Sequence, residues 1–169
     1  VNFGIIYGVS AFGLSNQTDL TRSESKEIIN NYFRSYPKLK EYMSDQISFA
    51  RDNGYVETIL KRKRYLPEIN SRNAILRSSA ERNAINTPVQ GSAADIIKLS
   101  MIKIDHEFEK KSLSSKLLLQ VHDELVFDVH LSEIDVVKKI IINNMENVIH
   151  IDVPLKVDIG FGDNWLVAH

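Results

Sequence analysis

The chain has 169 residues, of which 43% are hydrophobic and 25% charged, and its net charge is −1. These values are typical of a globular domain and exclude a disordered or fibrous chain. The absence of cysteine excludes disulfides and thiolate zinc sites. No apolar run approaches the roughly 20 residues of a membrane-spanning helix, and no signal peptide is recognisable, so we expect no membrane partner.

Charge is unevenly distributed along the chain. Residues 1–82 carry 13 Lys and Arg against 9 Asp and Glu, whereas residues 83–169 carry 8 against 13. The densest basic stretch is Lys61–Arg64. Such a stretch either tracks a phosphate backbone or forms a solvated loop, and taken alone it favours the loop.

The first part of the chain predicts helices. Thr21 and Glu24 have the spacing of a capping box, and an apolar stripe at helical spacing follows them. Pro37 ends that helix and opens the next one, which stops at Asn53-Gly54.

The remainder predicts mixed structure. The stretches YVETIL and RYLPEI indicate two short strands around the basic turn. A helical pattern runs from Arg77 to Lys110, where Pro88 and Gly91 predict a kink or a break because proline removes a helical hydrogen bond. We expect three further elements: a hairpin over residues 117–129, a helix over 132–148 and a last strand over 153–159.

The hairpin carries the first candidate site. Its apolar arms are separated by His122-Asp123, a length that suits a two-residue turn, and Glu124 follows. Aspartate is a common turn residue, so the pattern also fits a plain polar tip. Carboxylates on a rigid hairpin are alternatively suited to Mg²⁺, which binds one or two protein carboxylates when substrate phosphates supply the rest.

A polar stripe forms the second candidate site. Arg82, Asn86 and Gln90 recur every fourth residue and would share one helix face, among small or apolar neighbours. The ordinary interpretation is a solvent-facing side. These side chains can also donate to base edges in the minor groove, where A·T and T·A present the same acceptors.

Together these stretches resemble the family-A DNA polymerases of bacteria, from the middle of the fingers helix to the C-terminus. QGSAADIIK followed by QVHDEL is the most specific part of the resemblance. The matching segments are NFGIIYG (2–8), GYVET (54–58), RYLPEI (64–69), AERNAINTPVQGSAADIIK (80–98), QVHDELVF (120–127) and NWLVAH (164–169). One departure is Lys61, where the family commonly has glycine in a tight turn.

The resemblance implies a role for each candidate residue. Asp123 would bind the catalytic metal ions, Glu124 would be a supporting carboxylate, and His122 would contact the primer terminus. Phe3 would lie against the sugar of the incoming nucleotide, and Tyr7 near the templating base. Arg82, Asn86 and Gln90 would contact the minor groove of the nascent pair and the primer–template.

The resemblance also implies an α+β fold. We expect an antiparallel palm sheet that bears the hairpin, backed by the long helix and the helix over 132–148. Residues 1–53 would belong to the fingers and residues 54–169 to the palm. The implied reaction is nucleotidyl transfer to a primer 3′-hydroxyl with two Mg²⁺ ions, for which Mn²⁺ would substitute. The partners would be primer–template DNA and deoxynucleoside triphosphates.

Some of the family's functional parts would lie upstream of Val1, whose strongly patterned surroundings suggest a piece of a longer protein. They are the motif with the partner aspartate and the basic residues that grip the triphosphate. We therefore expect the isolated chain to be inactive and to self-associate through an unpaired hairpin edge. The longer protein would be cytoplasmic and bacterial.

Three alternatives stay open at this point. A non-catalytic duplex-DNA-binding module would use the basic stretch and the polar stripe. A metal-dependent nuclease would use Asp123 and Glu124, although no third acid has suitable spacing. The longer protein could also be an RNA polymerase, although Phe3 and the bacterial-type motifs favour DNA.

Overall fold

The computed structural model describes residues 2–168, except for the side chain of Phe3. Helices and small antiparallel sheets alternate along these residues. The helices are α1 (Asn2–Ile6), α2 (Ala11–Gln17), α3 (Arg22–Ser35), α4 (Pro37–Asn53), α5 (Ala74–Lys110), α6 (Ile134–Glu146) and α7 (Trp165–Ala168). The strands are β1 (Tyr55–Glu57), β2 (Lys63–Tyr65), β3 (Lys116–Val121) and β4 (Glu124–Asp128).

Local sequence signals set the ends of α3 and α4, as predicted. The Thr21 hydroxyl accepts the backbone N–H of Glu24 at 3.2 Å, and the Glu24 carboxylate accepts the backbone N–H of Thr21 at 2.8 Å. Pro37 is the first residue of α4. Gly54 ends this helix with φ of 78°, a left-handed conformation that glycine adopts without steric cost.

The chain forms two compact units. The first ends at Ser92 and the second begins at Ala93, with α5 running through the boundary. The core of the first unit lies where α4, the β1–β2 hairpin and the start of α5 meet. Its buried residues are Ala50, Val56, Leu66, Ile69, Ala80 and Ala84.

Of the kink or break predicted at Pro88, the break does not occur, because helix α5 is continuous through this residue. Proline removes one helical N–H donor, and its ring crowds the carbonyl one turn earlier. The β1–β2 hairpin contributes hydrogen bonds to this helix on both sides of the proline, at Thr87 and at Ser92. These contacts supply tertiary support where the helix is intrinsically weak.

The second unit contains the predicted hairpin of β3 and β4. Val121 pairs with Glu124 across the two-residue turn, and a register shift between Leu117 and Leu119 interrupts the ladder. The hairpin packs on α5 and α6, as expected for a sheet backed by helices. The buried core residues are Ile104, Phe108, Val137, Ile140 and Ile141.

The strand predicted over residues 153–159 is wrong, because the structure assigns no strand there. A strand needs an adjacent strand whose backbone groups form hydrogen bonds with its own N–H and C=O groups. Instead, the backbone N–H of Val157 donates to the Glu146 carboxylate at 3.2 Å, and Ile159 packs on the core. Ile159 therefore reaches the core from a segment that is not a strand.

Among the described residues, no helix combines the length and the apolar character that crossing a membrane requires.

Candidate active site

The tip of the β3–β4 hairpin presents Asp123 to solvent. His122 and Asp123 form the turn, and His122 has φ of 53°, which is uncommon for a residue other than glycine. The Gln120 side-chain amide donates to the His122 carbonyl at 2.7 Å. This hydrogen bond and the strand pairing on both sides fix the backbone that carries Asp123.

Packing of β4 gives the tip a firm support. Leu125 and Phe127 lie on the strand face that packs against the core of the second unit. The Phe127 ring is 5.9 Å from the Phe108 ring on α5, measured between centroids. Both contacts follow from the period-2 alternation of strand side chains. The charged turn therefore sits at the end of an apolar, helix-backed hairpin.

The base of the hairpin is closed by Glu133, a residue that the sequence analysis missed. Its carboxylate accepts the backbone N–H groups of Ser114 and Ser115, both at 2.9 Å, and the Ser115 hydroxyl at 2.6 Å. The Ser115 hydroxyl oxygen in turn accepts the backbone N–H of His130 at 3.0 Å. One carboxylate thus ties the residue before β3 to the chain that follows β4.

These hydrogen bonds stabilise the charged form of Glu133. The N–H of Ser114, followed by the hydroxyl of Ser115, lowers the pKa of the Glu133 carboxyl from its ordinary value of 4.5. Nothing in the sequence spacing of residues 114, 115 and 133 signals this network, because the contact closes a loop of 18 residues or more.

The carboxylates at the tip do not make a complete metal centre. Oxygen ligands suit Mg²⁺, and Asp123 is exposed, while the adjacent Glu124 is half-buried. In the part of the chain that the structure describes, no three acidic or histidine side chains form a group that could hold a metal ion. A two-metal site needs more carboxylate ligands than this adjacent pair offers.

The polar stripe on α5 is available to a partner. Arg82 and Gln90 are exposed and Asn86 is half-buried, whereas the intervening Ala84 and Ile85 are buried. The Arg82 guanidinium donates to the Ser78 hydroxyl at 3.3 Å and stays at the surface. The stripe therefore reaches the surface at Arg82 and Gln90, on a helix whose Ala84 and Ile85 are buried.

The N-terminal turn lies beside this stripe in the first unit. Tyr7 is exposed in the turn after α1, and Gly8 follows with φ of 80°. A Cβ on Gly8 would lie 3.6 Å from Cγ of Arg82. The backbone of Phe3 is in α1, but its side chain lies outside the described part of the structure, so its nucleotide contact stays a prediction.

The basic stretch makes contacts inside the first unit. The ammonium groups of Lys61 and Lys63 lie 3.4 and 3.9 Å from the Glu57 carboxylate. Lys63 also lies 4.0 Å from the centroid of the Tyr55 ring. Its pKa is raised, chiefly by the interaction with the Tyr55 side chain. The stretch thus forms the turn and the start of the second strand of a hairpin, where its residues are solvent-exposed and also have internal partners.

The two arginines of the stretch reach α5. Arg62 donates to the Gly91 carbonyl at 3.2 Å, and Arg64 donates to the Thr87 hydroxyl at 3.0 Å. These contacts join residues 23 to 29 positions apart, so no local pattern indicated them.

Comparison with known proteins decides the family. The sequence model of DNA polymerase family A matches residues 1–167. The chain belongs to DNA polymerase family A. This bears out the resemblance that the motifs indicated, including its polymerase-type α+β fold.

Bacterial relatives agree with the family assignment. DNA polymerase I of Caldicellulosiruptor bescii is 50% identical over 165 residues, which are 98% of this chain and 19% of that protein. DNA polymerase I of Bacillus subtilis is 48% identical over 168 residues, again 19% of its length. This family-A chain therefore spans about a fifth of the relatives that it matches.

A solved structure has the same fold. It is the POL domain of Pol1 from M. smegmatis in complex with DNA primer-template and dNTP. The TM-score is 0.96 at 42% sequence identity, and the match covers 99% of this chain and 30% of that one.

Proposed function

We propose that the chain is the C-terminal portion of a template-directed DNA polymerase that acts in DNA replication and repair. The polymerase would add deoxynucleotides to a primer, whose 3′-oxygen attacks the α-phosphate so that pyrophosphate leaves. The observation that carries this proposal is the family match over residues 1–167. The M. smegmatis domain, which resembles this chain closely, was solved with DNA primer-template and dNTP.

The proposed roles are those that the resemblance to the family implies. At the hairpin tip, Asp123 is the catalytic metal ligand, Glu124 its supporting carboxylate and His122 the contact to the primer terminus. Phe3 and Tyr7 bind the incoming nucleotide and the templating base. The exposure of Asp123 and Tyr7 supports these assignments.

The face formed by Arg82, Asn86 and Gln90 is proposed to contact the minor groove of the primer–template. Hydrogen-bond donors in the minor groove meet the same acceptors on A·T and T·A pairs, which suits an enzyme that copies every sequence. In this proposal residues 1–53 are part of the fingers, and residues 54–169 are part of the palm.

Mg²⁺ is the proposed cofactor, with Mn²⁺ as a substitute, because the family carries out its chemistry with divalent ions. The longer protein would supply the second aspartate and the basic residues that bind the triphosphate. The isolated chain would then be inactive, which agrees with its single pair of adjacent carboxylates at the tip. The bacterial relatives suggest that the longer protein works in the cytoplasm.

A non-catalytic duplex-binding function is the second candidate for the isolated chain. The exposed Arg82 and Gln90 favour it, because binding through this face does not depend on the carboxylates at the hairpin tip. It predicts salt-sensitive binding to primer–template DNA that survives Asp123→Ala.

Self-association of the isolated chain is proposed to use the outer side of β3. Among the described residues of the second unit this strand pairs with β4 alone, and its Leu118 and Leu119 are 58% and 41% exposed. An apolar strand with unpaired backbone groups is a template for pairing with a second copy. A monodisperse monomer in light scattering at high concentration would contradict this proposal.

Primer extension by the longer protein tests the polymerase proposal. Asp123→Ala is expected to reduce extension by about 10²–10³-fold or more, because a charge that faces the reacting groups is lost. Asp128→Ala is the matched control, since Asp128 is an exposed acid at the other end of β4. Equal activity of the two variants would refute the role of Asp123.

A further inference from the structure

The β1–β2 hairpin holds α5 around its internal proline. Its Arg64 donates to the Thr87 hydroxyl at 3.0 Å, and its Arg62 donates to the Gly91 carbonyl at 3.2 Å. In addition, the backbone N–H of Ile59 donates to the Ser92 hydroxyl oxygen at 2.8 Å. All three contacts lie within the first unit and reach α5 within four residues of Pro88.

The contacts coincide with the weakest point of the helix. Pro88 lacks the N–H that would bond the carbonyl one turn earlier, and its ring crowds that carbonyl. The Ser92 hydroxyl, which accepts from Ile59, also donates to the Pro88 carbonyl. The hairpin is therefore connected through Ser92 to the proline itself.

Gly91 allows the close approach that these bonds require. A Cβ at position 91 would lie 2.7 Å from Cγ2 of Thr58, a distance that real Cβ atoms essentially never show. Thr58 is buried in the turn of the hairpin, and its hydroxyl accepts the backbone N–H of Arg62 at 3.2 Å. A side chain at residue 91 therefore requires the Thr58 side chain or the turn that carries it to shift.

The polar stripe spans the same point. Arg82 and Asn86 precede Pro88, and Gln90 follows it. A change in the helix at Pro88 would move Gln90 relative to the other two side chains. A minor-groove contact that uses all three side chains requires their relative positions to be fixed.

We propose that the β1–β2 hairpin is a brace that sets α5 across Pro88, with Arg62 and Arg64 as positioning residues for the Arg82–Asn86–Gln90 face. This inference rests on the proposed function for the DNA contact. It assigns the basic stretch to an intramolecular role, because its arginines donate to α5 and its lysines lie beside Glu57. The competing interpretation is that the stretch binds the DNA phosphates.

Amide hydrogen exchange on the isolated chain tests the brace without DNA. Arg62→Ala is expected to speed exchange of the amides at residues 89–92 by about tenfold, because the hairpin loses one of its anchors. Lys63→Ala is the matched control: it removes an equal charge from the same hairpin, where Lys63 contacts Tyr55 and Glu57. Equal exchange in both variants and the unmodified chain would overturn the proposal.

A rescue experiment tests the close approach directly. Gly91→Ala is expected to speed the same exchange, since its Cβ meets Cγ2 of Thr58. Thr58→Ser removes that methyl group and keeps the hydroxyl that accepts from Arg62, so the double variant should recover slow exchange. Failure of Thr58→Ser to rescue a folded Gly91→Ala chain would contradict the brace.

Primer–template binding at several salt concentrations separates positioning from phosphate contact. The brace predicts that Arg62→Ala and Gly91→Ala both weaken binding about tenfold, while the salt dependence of binding stays unchanged. It also predicts that adding Thr58→Ser to Gly91→Ala restores binding. A salt slope reduced by about one in Arg62→Ala alone would identify Arg62 as a phosphate ligand and overturn the proposal. No binding by the unmodified chain would count against the proposed DNA contact, while the exchange rates would still decide whether the hairpin braces the helix.

Discussion

The carboxylate of Glu133 accepts both the hydroxyl and the backbone N–H of Ser115, at 2.6 and 2.9 Å. Ser115 immediately precedes β3, so this pair anchors the base of the hairpin whose tip carries Asp123. A site at the end of a two-stranded hairpin is only as well positioned as the hairpin's base. Glu133 therefore belongs to the structural support of the candidate active site.

The hydrogen bonds of the Glu133 carboxylate predict that the stability of the folded chain depends on pH. Because the folded pKa of Glu133 is below its ordinary value of 4.5, its contribution is present above that pH. It is lost as the pH falls from about 4.5 through the lowered folded pKa, where the folded carboxylate also becomes protonated. Glu133→Gln should lower Tm at neutral pH, and the difference from the unmodified chain should shrink below pH ~4.5.

Glu41→Gln is the control for the pH series. Glu41 pairs with Lys38 at 2.7 Å on the surface of α4, where both side chains are largely exposed. An exposed pair of this kind contributes about 0–1 kcal/mol, so its removal should change Tm little. A pH profile of Glu133→Gln that runs parallel to that of Glu41→Gln would contradict the assigned role.

Ser112→Gly is expected to stabilise the second unit. Ser112 has φ of 51° just after α5, where its N–H donates to the Glu109 carbonyl and the Leu113 N–H donates to the Phe108 carbonyl. This is a Schellman ending, which glycine favours. Glycine relieves the left-handed strain, with a net gain of about 0.5–1 kcal/mol in the free energy of unfolding. Urea titration measures this gain, and a loss would show that the serine side chain supports the ending.

Ser25→Ala is expected to stabilise the first unit. The Ser25 hydroxyl in α3 is fully buried and has no hydrogen-bond partner among the described residues. A buried hydroxyl without a partner costs about 1–3 kcal/mol, and alanine also favours the helix. We expect the free energy of unfolding to rise by about 1 kcal/mol. Thermal unfolding checks this, with Ser23→Ala, at an exposed position in the same helix, as the control.

Arg82→Ala should weaken primer–template binding without changing base preference. Loss of a hydrogen bond that a charged side chain donates costs about 1.5–3 kcal/mol. Because A·T and T·A present the same acceptors, the loss should be equal for both at the primer terminus. Arg34→Ala, at an exposed site on α3, controls for removal of one positive charge. An equal loss in both variants would indicate a nonspecific charge effect.

The sequence predicted those features that depend on neighbouring residues. The Thr21–Glu24 capping box, the start of α4 at Pro37 and the turn at His122-Asp123 each depend on residues at most three apart, and all three are present. Strand alternation puts Leu125 and Phe127 on one face of β4, and in the structure this face packs on the core.

Features that depend on distant contacts were missed or wrong. Helix α5 continues through Pro88, and the hairpin that donates hydrogen bonds around this proline lies more than 20 residues earlier in the chain. The strand expected over residues 153–159 does not form, because no strand in the described part of the chain pairs with this segment. Glu133 was missed because its partners lie 18 and 19 residues away. Lys61, which stands where the family commonly has glycine, adopts φ of 64° in its turn, the left-handed conformation that glycine adopts without steric cost.

Primer extension by the isolated chain tests the central claim most directly. The assay contains a primer–template, four deoxynucleotides and Mg²⁺, with the full-length protein as the positive control. The account predicts extension by the full-length protein and none by the isolated chain, since the described residues offer a single pair of carboxylates at the hairpin tip. Extension by the isolated chain that Asp123→Ala abolishes would show a complete catalytic site within these 169 residues and would contradict the account.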